Sequence, residues 1–152
     1  MNVNKSEHGA ASGRDAARPA ARNTGAGRLL VAVYAVFALS STARAVFQIA
    51  TKFDQAPLAY LLSALAAVVY IVATVGLSKS GASSYRVSVA AVGIEMAGVL
   101  AVGIFGLLDP AALPDDTVWS GFGAGYGYVP LILPVLGLWW LYRHRADASA
   151  RG

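Results

Sequence analysis

Four long apolar stretches, separated by short polar segments, dominate the chain. They cover about residues 29–50, 58–77, 87–108 and 124–142. At about 1.5 Å per residue, the first three rise about 30–33 Å as helices and the fourth about 28 Å, against a hydrocarbon core of about 30 Å. The pattern predicts an all-α, polytopic membrane protein with four transmembrane helices within residues 28–143.

The segments outside these stretches predict an orientation. Residues 1–27 are small and polar, which predicts a disordered tail, and residues 144–152 form a second tail. Ten of the 12 Lys and Arg lie in the two tails, at the helix ends beside them (Arg28 and Arg143) and in the connection between the second and third helices, whereas Lys52 is the one basic residue in the other two connections. Basic residues beside spans stay in the cytoplasm. The count predicts a multi-pass plasma-membrane protein with both termini cytoplasmic.

One alternative concerns the first helix. Leu29–Leu39 is followed by Ser40–Ala45, whose Ala-x-Ala end resembles a signal-peptidase site. Cleavage after Ala45 would remove Arg44 and leave three helices. The preceding 28 residues are long for a signal peptide, and residues 46–50 continue the apolar run, so an uncleaved helix is favoured.

The amino-acid composition excludes several classes of function. Hydrophobic residues make up 57% of the chain and charged residues 13%, against roughly a quarter charged in a soluble domain. With no Cys, disulfides, thiolate nucleophiles and iron–sulfur ligation are excluded. Basic residues flank the spans and form no stripe interleaved with aromatics, so nucleic acid is not an expected partner. No catalytic set, metal-ligand spacing or cofactor motif is found, and we expect no enzyme activity and no cofactor.

Two charges lie inside the apolar stretches, and ionisable groups at membrane depth mark candidate sites. Glu95 is about 13 Å along its helix from Arg86, close to the midplane. The same estimate puts Tyr70 at the level of Glu95, as its expected direct partner. Arg44 lies about 10 Å away in height, so that an Arg44–Glu95 pair would be stretched. The predicted intramembrane polar site consists of Glu95, Arg44, Tyr70, Gln48 and Ser63.

Polar and small residues recur on one face of each helix and predict a bundle interior lined by them. The first helix presents Ser40, Arg44 and Gln48, with Ser41 beside them; the second presents Tyr60, Ser63, Ala67, Tyr70 and Thr74; the third presents the row of small residues Gly93, Ala97 and Ala101, with Ala91, Glu95 and Gly98 on an adjoining face. The spacing in the second helix is that of a packing seam.

The start of the fourth stretch alternates Gly121, Gly123, Gly125 and Gly127 with larger residues. This does not match the dinucleotide-binding fingerprint. We expect close packing or, alternatively, a non-helical entry into the membrane. Two groups of aromatic residues predict anchoring belts at the two ends of this helix: Trp119, Phe122, Tyr126 and Tyr128 at the outer end, and Trp139, Trp140 and Tyr142 at the inner end.

Three stretches carry a family resemblance: Ala43-Arg44-Ala45-Val46-Phe47-Gln48-Ile49-Ala50-Thr51-Lys52-Phe53, Ala56-Pro57-Leu58-Ala59-Tyr60, and Trp119-Ser120-Gly121-Phe122-Gly123-Ala124-Gly125-Tyr126-Gly127-Tyr128-Val129-Pro130. With them, residues 28–142 resemble an uncharacterised group of small four-helix actinobacterial integral membrane proteins. The resemblance implies a topology and no activity. Four-helix multidrug transporters are similar in size, but their essential Glu lies in the first helix, whereas Glu95 lies in the third.

Two hypotheses follow. In the first, the chain is a non-enzymatic structural or accessory subunit, or an assembly factor, of the plasma membrane, in a homo-oligomer or a larger membrane complex, and Glu95 fixes helix register. In the second, the chain is a small proton-coupled transporter, because burial favours the neutral form of a carboxyl group and Glu95 could then exchange a proton.

Overall fold

The structure, a computed structural model, describes residues 25–150. These residues are helical and contain no strand. The helices are α1 (Gly25–Lys52), α2 (Pro57–Ser78), α3 (Ala82–Leu108), α4 (Val129–Arg143) and the short α5 (Arg145–Ser149). The predicted disordered tail lies outside the described residues except for its last three, which begin α1.

The helices α1, α2 and α3 are each long and apolar enough to cross a membrane. A fourth crossing would combine the 3₁₀ segment Ser120–Tyr126 with α4, and these two are bent by 100° relative to each other. The described residues therefore provide three or four membrane-spanning elements, and the predicted membrane class is confirmed at that level.

Local sequence explains where the first three helices begin and end. Pro57 occupies the first turn of α2, where its missing N–H costs no hydrogen bond. Gly81 has a φ of 113°, a backbone conformation that glycine adopts readily, and it separates α2 from α3. The helix α3 ends at Leu108, two residues before Pro110, whose ring disfavours helical backbone at the preceding residue.

The helices pack in chain order. The helix α2 lies between α1 and α3, and α4 packs mainly on α3 with little contact to α1. An apolar cleft of about 250 Å³ remains between α1 and α4, lined in part by Leu29, Val33 and Trp139. Lys52, the last residue of α1, and Asp115, in the connection after α3, form an ion pair, so the C-terminal end of α1 and the connection after α3 meet at one end of the bundle.

The predicted interior faces are partly right. On α2, Tyr60, Ser63, Ala67 and Tyr70 are buried, and that seam is confirmed. On α1 the prediction is confirmed at Ser41 and Gln48, Arg44 is half-buried, and the prediction is wrong at Ser40, which is exposed. The buried face runs through Tyr34, Ala38, Ser41, Ala45 and Gln48. That set repeats at intervals of four and three residues, the spacing of a packing seam.

The row of small residues on α3 does not face the interior as predicted. Ala97 and Ala101 are exposed on the outside of the bundle, and a side chain at Gly93 would meet nothing within 4 Å. The adjoining face is the interior one, because its Ala91 and Glu95 are buried together with Val92, Val99 and Val102. Val92 packs closely against α4, since a Cβ on Gly137 would lie 3.1 Å from it.

The segment before α4 is the largest departure from the predicted helix of residues 124–142. Gly121, Phe122 and Gly123 have φ values of 55°, 59° and 83°, and Tyr128 has a φ of 60°. These left-handed residues break the helix, so that α4 begins only at Val129. Both alternatives have support here: the backbone is non-helical, and Gly123 is closely packed, since a Cβ on it would lie 2.8 Å from Pro130.

The chain that precedes this break is folded into the bundle. The indole of Trp119 is 1% exposed, so the prediction that it belongs to an outer anchoring belt is wrong. Gly98 makes room for it, because a Cβ on Gly98 would lie 2.6 Å from the Trp119 ring. Trp140, assigned to the inner belt, is also buried, whereas Trp139 and Tyr142 are exposed.

Candidate functional site

Glu95 lies on the interior face of α3 and is fully buried. The hydroxyl of Tyr34, from α1, donates a hydrogen bond of 2.6 Å to its Oε2. The other carboxyl oxygen, Oε1, has no hydrogen-bond partner within residues 25–150. Hydrogen bonds to a carboxyl group are strong in a low-dielectric interior, so this contact links α1 to α3 at one fixed height.

Tyr70, from α2, lies beside this pair. Its ring centroid is 6.2 Å from that of Tyr34, and its hydroxyl lies within electrostatic range of the Glu95 carboxyl. The same hydroxyl accepts a hydrogen bond of 3.2 Å from Nε1 of Trp119. A phenol both accepts and donates, so the Tyr70 proton remains available to Glu95. We call Glu95, Tyr34, Tyr70 and Trp119 the interior polar cluster.

The interior polar cluster shares Glu95 and Tyr70 with the predicted site, has Tyr34 and Trp119 as new members, and does not include the predicted Arg44, Gln48 and Ser63. Tyr34, and not Tyr70, donates the short hydrogen bond to Glu95, and Trp119 enters from the loop after α3. Tyr34 could have been found from the sequence, because it begins the seam that continues through Ala38, Ser41 and Gln48. No comparable sequence signal marks Trp119, whose position depends on how the loop folds back.

Ser63 and Gln48 are buried but do not join this cluster. The Ser63 hydroxyl donates to the backbone carbonyl of Ala59, one turn earlier, which satisfies it within α2. Oε1 of Gln48 and Oγ of Ser41 are buried without a hydrogen-bond partner in the described part of the chain. These two atoms lie two turns apart on the same face of α1.

Arg44 lies apart from Glu95, and the structure forms no pair between them. Its Nη1 donates to the Tyr126 hydroxyl at 2.8 Å, and its Nη2 donates to the backbone carbonyl of Asp116 at 2.6 Å. Both acceptors belong to the segment between α3 and α4. Arg44 therefore holds this segment against α1, at the end of the bundle where the C-terminal end of α1 and the connection after α3 meet.

A second charged contact lies at the same end. Lys52 is 3.2 Å from Oδ2 of Asp115, and the Tyr60 hydroxyl donates to the same oxygen at 2.6 Å. The hydrogen bond from Tyr60 and the nearby Lys52 ammonium hold the pKa of the Asp115 carboxyl below its ordinary value. We call this set the loop-end polar cluster; it consists of Arg44, Lys52, Tyr60, Asp115, Asp116 and Tyr126.

A polar cleft of about 360 Å³ opens beside Arg44. Its walls are formed by Arg44 and by the segment after α3, including Thr117, Ser120, Gly125 and Tyr126. Thr117 and Ser120 bond to each other, so that the wall is itself held in place. The volume is at the lower end of the range for small-molecule sites.

The two clusters define what the site can do chemically. The interior polar cluster contains one acid and three neutral aromatic donors, which can hold or exchange a proton. The loop-end polar cluster contains two cations and a carboxylate pair at a polar cleft. Among the residues that the structure describes, no three His, Asp or Glu are placed to hold a metal ion.

The fold and the site define a class: a small helical protein with three or four apolar, membrane-spanning elements and one acid buried between them. No protein-family model, curated protein or solved structure matches the chain. The resemblance to the actinobacterial group of small membrane proteins therefore stays a prediction.

Proposed function

We propose that this chain is a non-enzymatic, multi-pass protein of the plasma membrane that acts as a structural or accessory subunit. Both termini are cytoplasmic in this proposal, and the bent segment before α4 completes a fourth crossing. The distribution of Lys and Arg supports the orientation. The meeting of the C-terminal end of α1 and the connection after α3 at one end of the bundle, through Lys52 and Asp115, agrees with it.

The observation that carries the proposal is the closed arrangement around Glu95. Its carboxyl is 0% exposed and bonds to Tyr34 of another helix, while Tyr70 connects it to Trp119. Polar groups satisfied across helices fix register and partner choice in membrane bundles. An arrangement of this kind suits a protein that presents a constant surface to its partners.

The outer surface of α3 gives independent support. Ala97 and Ala101, with Gly93, form a row of small residues that faces away from the bundle. Rows of this type let a second membrane helix approach closely. We expect the partner to be a further copy of the chain or a subunit of a larger membrane complex.

Purification in mild detergent, followed by mass spectrometry, tests the accessory role. We expect the full-length chain to elute with a stoichiometric companion or as a defined homo-oligomer. A Leu at Ala97 should disrupt that association and leave the fold intact, because the added side chain projects outward. The control is Leu at Ala32, which is an exposed residue of α1. A monomer that behaves identically in all three forms would contradict the proposal.

A second function, that of a small proton-coupled carrier, is favoured by two particular features. Oε1 of Glu95 has no partner within the described range, so a proton or a cation could bind there. The 100° break before α4 is of the kind found in transporters, where discontinuous helices flank the substrate site. In this function Glu95 would exchange a proton during transport.

Glu95→Gln separates the two functions. The amide oxygen still accepts from Tyr34, so an accessory protein should retain its thermal stability and its assembly. In a carrier, the same substitution should abolish pH-driven flux into liposomes loaded with a pH-sensitive dye. Tyr34→Phe is the matched variant: it removes the donor but keeps the acid, and it should lower stability by about 1–2 kcal/mol. Proton flux by the wild type that Glu95→Gln abolishes would establish the carrier and contradict the accessory role.

A further inference from the structure

We propose that the cleft beside Arg44 is a binding site for a phosphate group, held by the Arg44 guanidinium and the Tyr126 hydroxyl. This proposal is independent of the accessory role, because it concerns the loop-end polar cluster alone. It assigns a ligand class to a cavity of about 360 Å³, which is large enough for a phosphate and the first atoms attached to it.

The first argument is the unused donor capacity of Arg44. A guanidinium has five N–H donors, and two are accounted for by the hydrogen bonds to Tyr126 and Asp116. Nε is buried without a partner in the range 25–150 and is closed to a ligand, which leaves one N–H on each of Nη1 and Nη2. A planar guanidinium with free N–H donors can form two parallel hydrogen bonds to the oxygens of a phosphate.

The second argument is charge. Both acceptors of Arg44 are uncharged oxygens, a hydroxyl and a backbone carbonyl. The carboxylate of Asp115 is engaged by Lys52 and Tyr60. Within the described residues Arg44 has no ion-pair partner, so its positive charge remains available to an anion. Asp116 also lines the cleft, but its side chain is exposed, and water screens its repulsion.

The third argument is the wall of the cleft. The Tyr126 hydroxyl accepts from Arg44, and its own proton is left to donate to a ligand. Gly125, also in the wall, has open space around it, since an added Cβ would meet nothing within 4 Å. The cleft thus offers a cation, a neutral donor and free volume side by side.

Two sources could supply the phosphate: a lipid headgroup or a free phosphate compound. The helix α1 has 28 residues and is about 42 Å long, about 12 Å longer than the hydrocarbon core. Arg44 lies eight residues, about 12 Å, before its end. With the excess shared equally by the two ends, Arg44 lies about 6 Å inside the boundary between hydrocarbon and headgroups, and the other walls of its cleft belong to the connection after α3, at the same end of the bundle.

The experiment measures binding of two probes to the purified full-length protein in detergent: dihexanoyl phosphatidylglycerol and inorganic phosphate. We expect saturable binding of at least one probe, and Arg44→Gln should weaken it about tenfold or more. Gly125→Leu should weaken it to a similar extent, because the added side chain fills the cleft while Arg44 keeps its contacts. This second variant retains the test if Arg44→Gln folds poorly.

Two controls match these variants. Lys79→Gln removes an exposed cation outside both clusters, and Gly106→Leu adds the same side chain at another open glycine; both should bind within about twofold of the wild type. Binding of the lipid without competition by inorganic phosphate identifies the headgroup as the source. Binding of inorganic phosphate with the same dependence on Arg44 identifies a free phosphate compound. Absence of saturable binding to folded wild type, or wild-type binding by both cleft variants, would overturn the proposal.

Discussion

The two polar clusters are built from similar residues, yet their surroundings give them different roles. Each combines a carboxyl group with a tyrosine hydroxyl at 2.6 Å. In the interior polar cluster no ion pair is formed and every member is buried. In the loop-end polar cluster cations are present, and Lys52 and Asp115 are each about a third exposed.

This difference determines how much each contact contributes to stability. A buried group that loses its partner has no water to replace it, and the cost is about 1–3 kcal/mol. An exposed ion pair regains water when it breaks, and salt screens it further. We therefore expect the interior polar cluster to hold the bundle together and the loop-end polar cluster to be adjustable and open to ligands.

Trp119→Ala, in the interior polar cluster, should cause the largest loss of stability. The substitution empties a fully enclosed space beside Gly98 and removes the hydrogen bond to Tyr70. The free energy of unfolding, measured by titration with a denaturing detergent and followed by circular dichroism, should fall by about 3 kcal/mol or more.

Trp139→Ala is the matched control. Trp139 is 54% exposed, so its removal creates no internal cavity, and the loss should stay below about 1 kcal/mol. Equal losses for the two tryptophans would mean that the loop after α3 is not part of the core, and the description of the interior polar cluster would then be wrong.

The sequence was sufficient for the parts of the fold that depend on periodicity. The apolar runs predict α1, α2 and α3 to within five residues at each end, and the burial of Glu95 follows from its being the one charge in its run. The seam on α2 was also predictable, because its polar members recur at helical spacing. The helical rise per residue also predicted that Tyr70 lies at the same depth in the membrane as Glu95.

The remaining features depend on tertiary contacts that periodicity does not encode. Trp119 lies eleven residues past the end of α3 and would be expected at the membrane surface. Its ring enters the core against Gly98, which leaves room for it, and left-handed backbone at Gly121 and Gly123 follows directly in the chain. Arg44 was expected to point toward the interior, but the returning loop supplies nearer acceptors, Tyr126 and the carbonyl of Asp116.

Gly98→Ala tests how tightly the interior polar cluster is packed against α3. The new methyl group would lie 2.6 Å from the Trp119 ring, so the ring must shift, and overpacking of this kind costs about 1–3 kcal/mol. Gly93→Ala, five residues earlier on α3, meets nothing within 4 Å and should stabilise by up to about 1 kcal/mol.

The same detergent titration measures both variants. Opposite signs for two identical substitutions on one helix would show that the close approach of Trp119, and not glycine content, decides the result. If Gly98→Ala is as stable as Gly93→Ala, the loop is not seated against α3 in the membrane protein.

The smallest effect is expected at Asp115, in the loop-end polar cluster. The Tyr60 hydrogen bond, and then Lys52, lower the pKa of this carboxyl below its ordinary value of about 3.9. A carboxyl group with a depressed pKa in the folded state contributes stability above its unfolded pKa, and that contribution is lost as the pH falls through the folded pKa. The effect is therefore confined to acidic solution.

Carboxyl-carbon NMR of the detergent-solubilised protein gives this pKa directly. Tyr60→Phe and Lys52→Gln should each raise the pKa of Asp115, because each removes a group that lowers it. High salt should reduce the part of the Lys52 contribution to this pKa that is long-range attraction to the ammonium, because salt screens that charge. The Tyr60 contribution should persist, since a short hydrogen bond to a single oxygen is little affected by screening. An unchanged pKa in Tyr60→Phe, or a Tyr60 contribution that disappears in salt, would mean that long-range charge governs this end of the bundle.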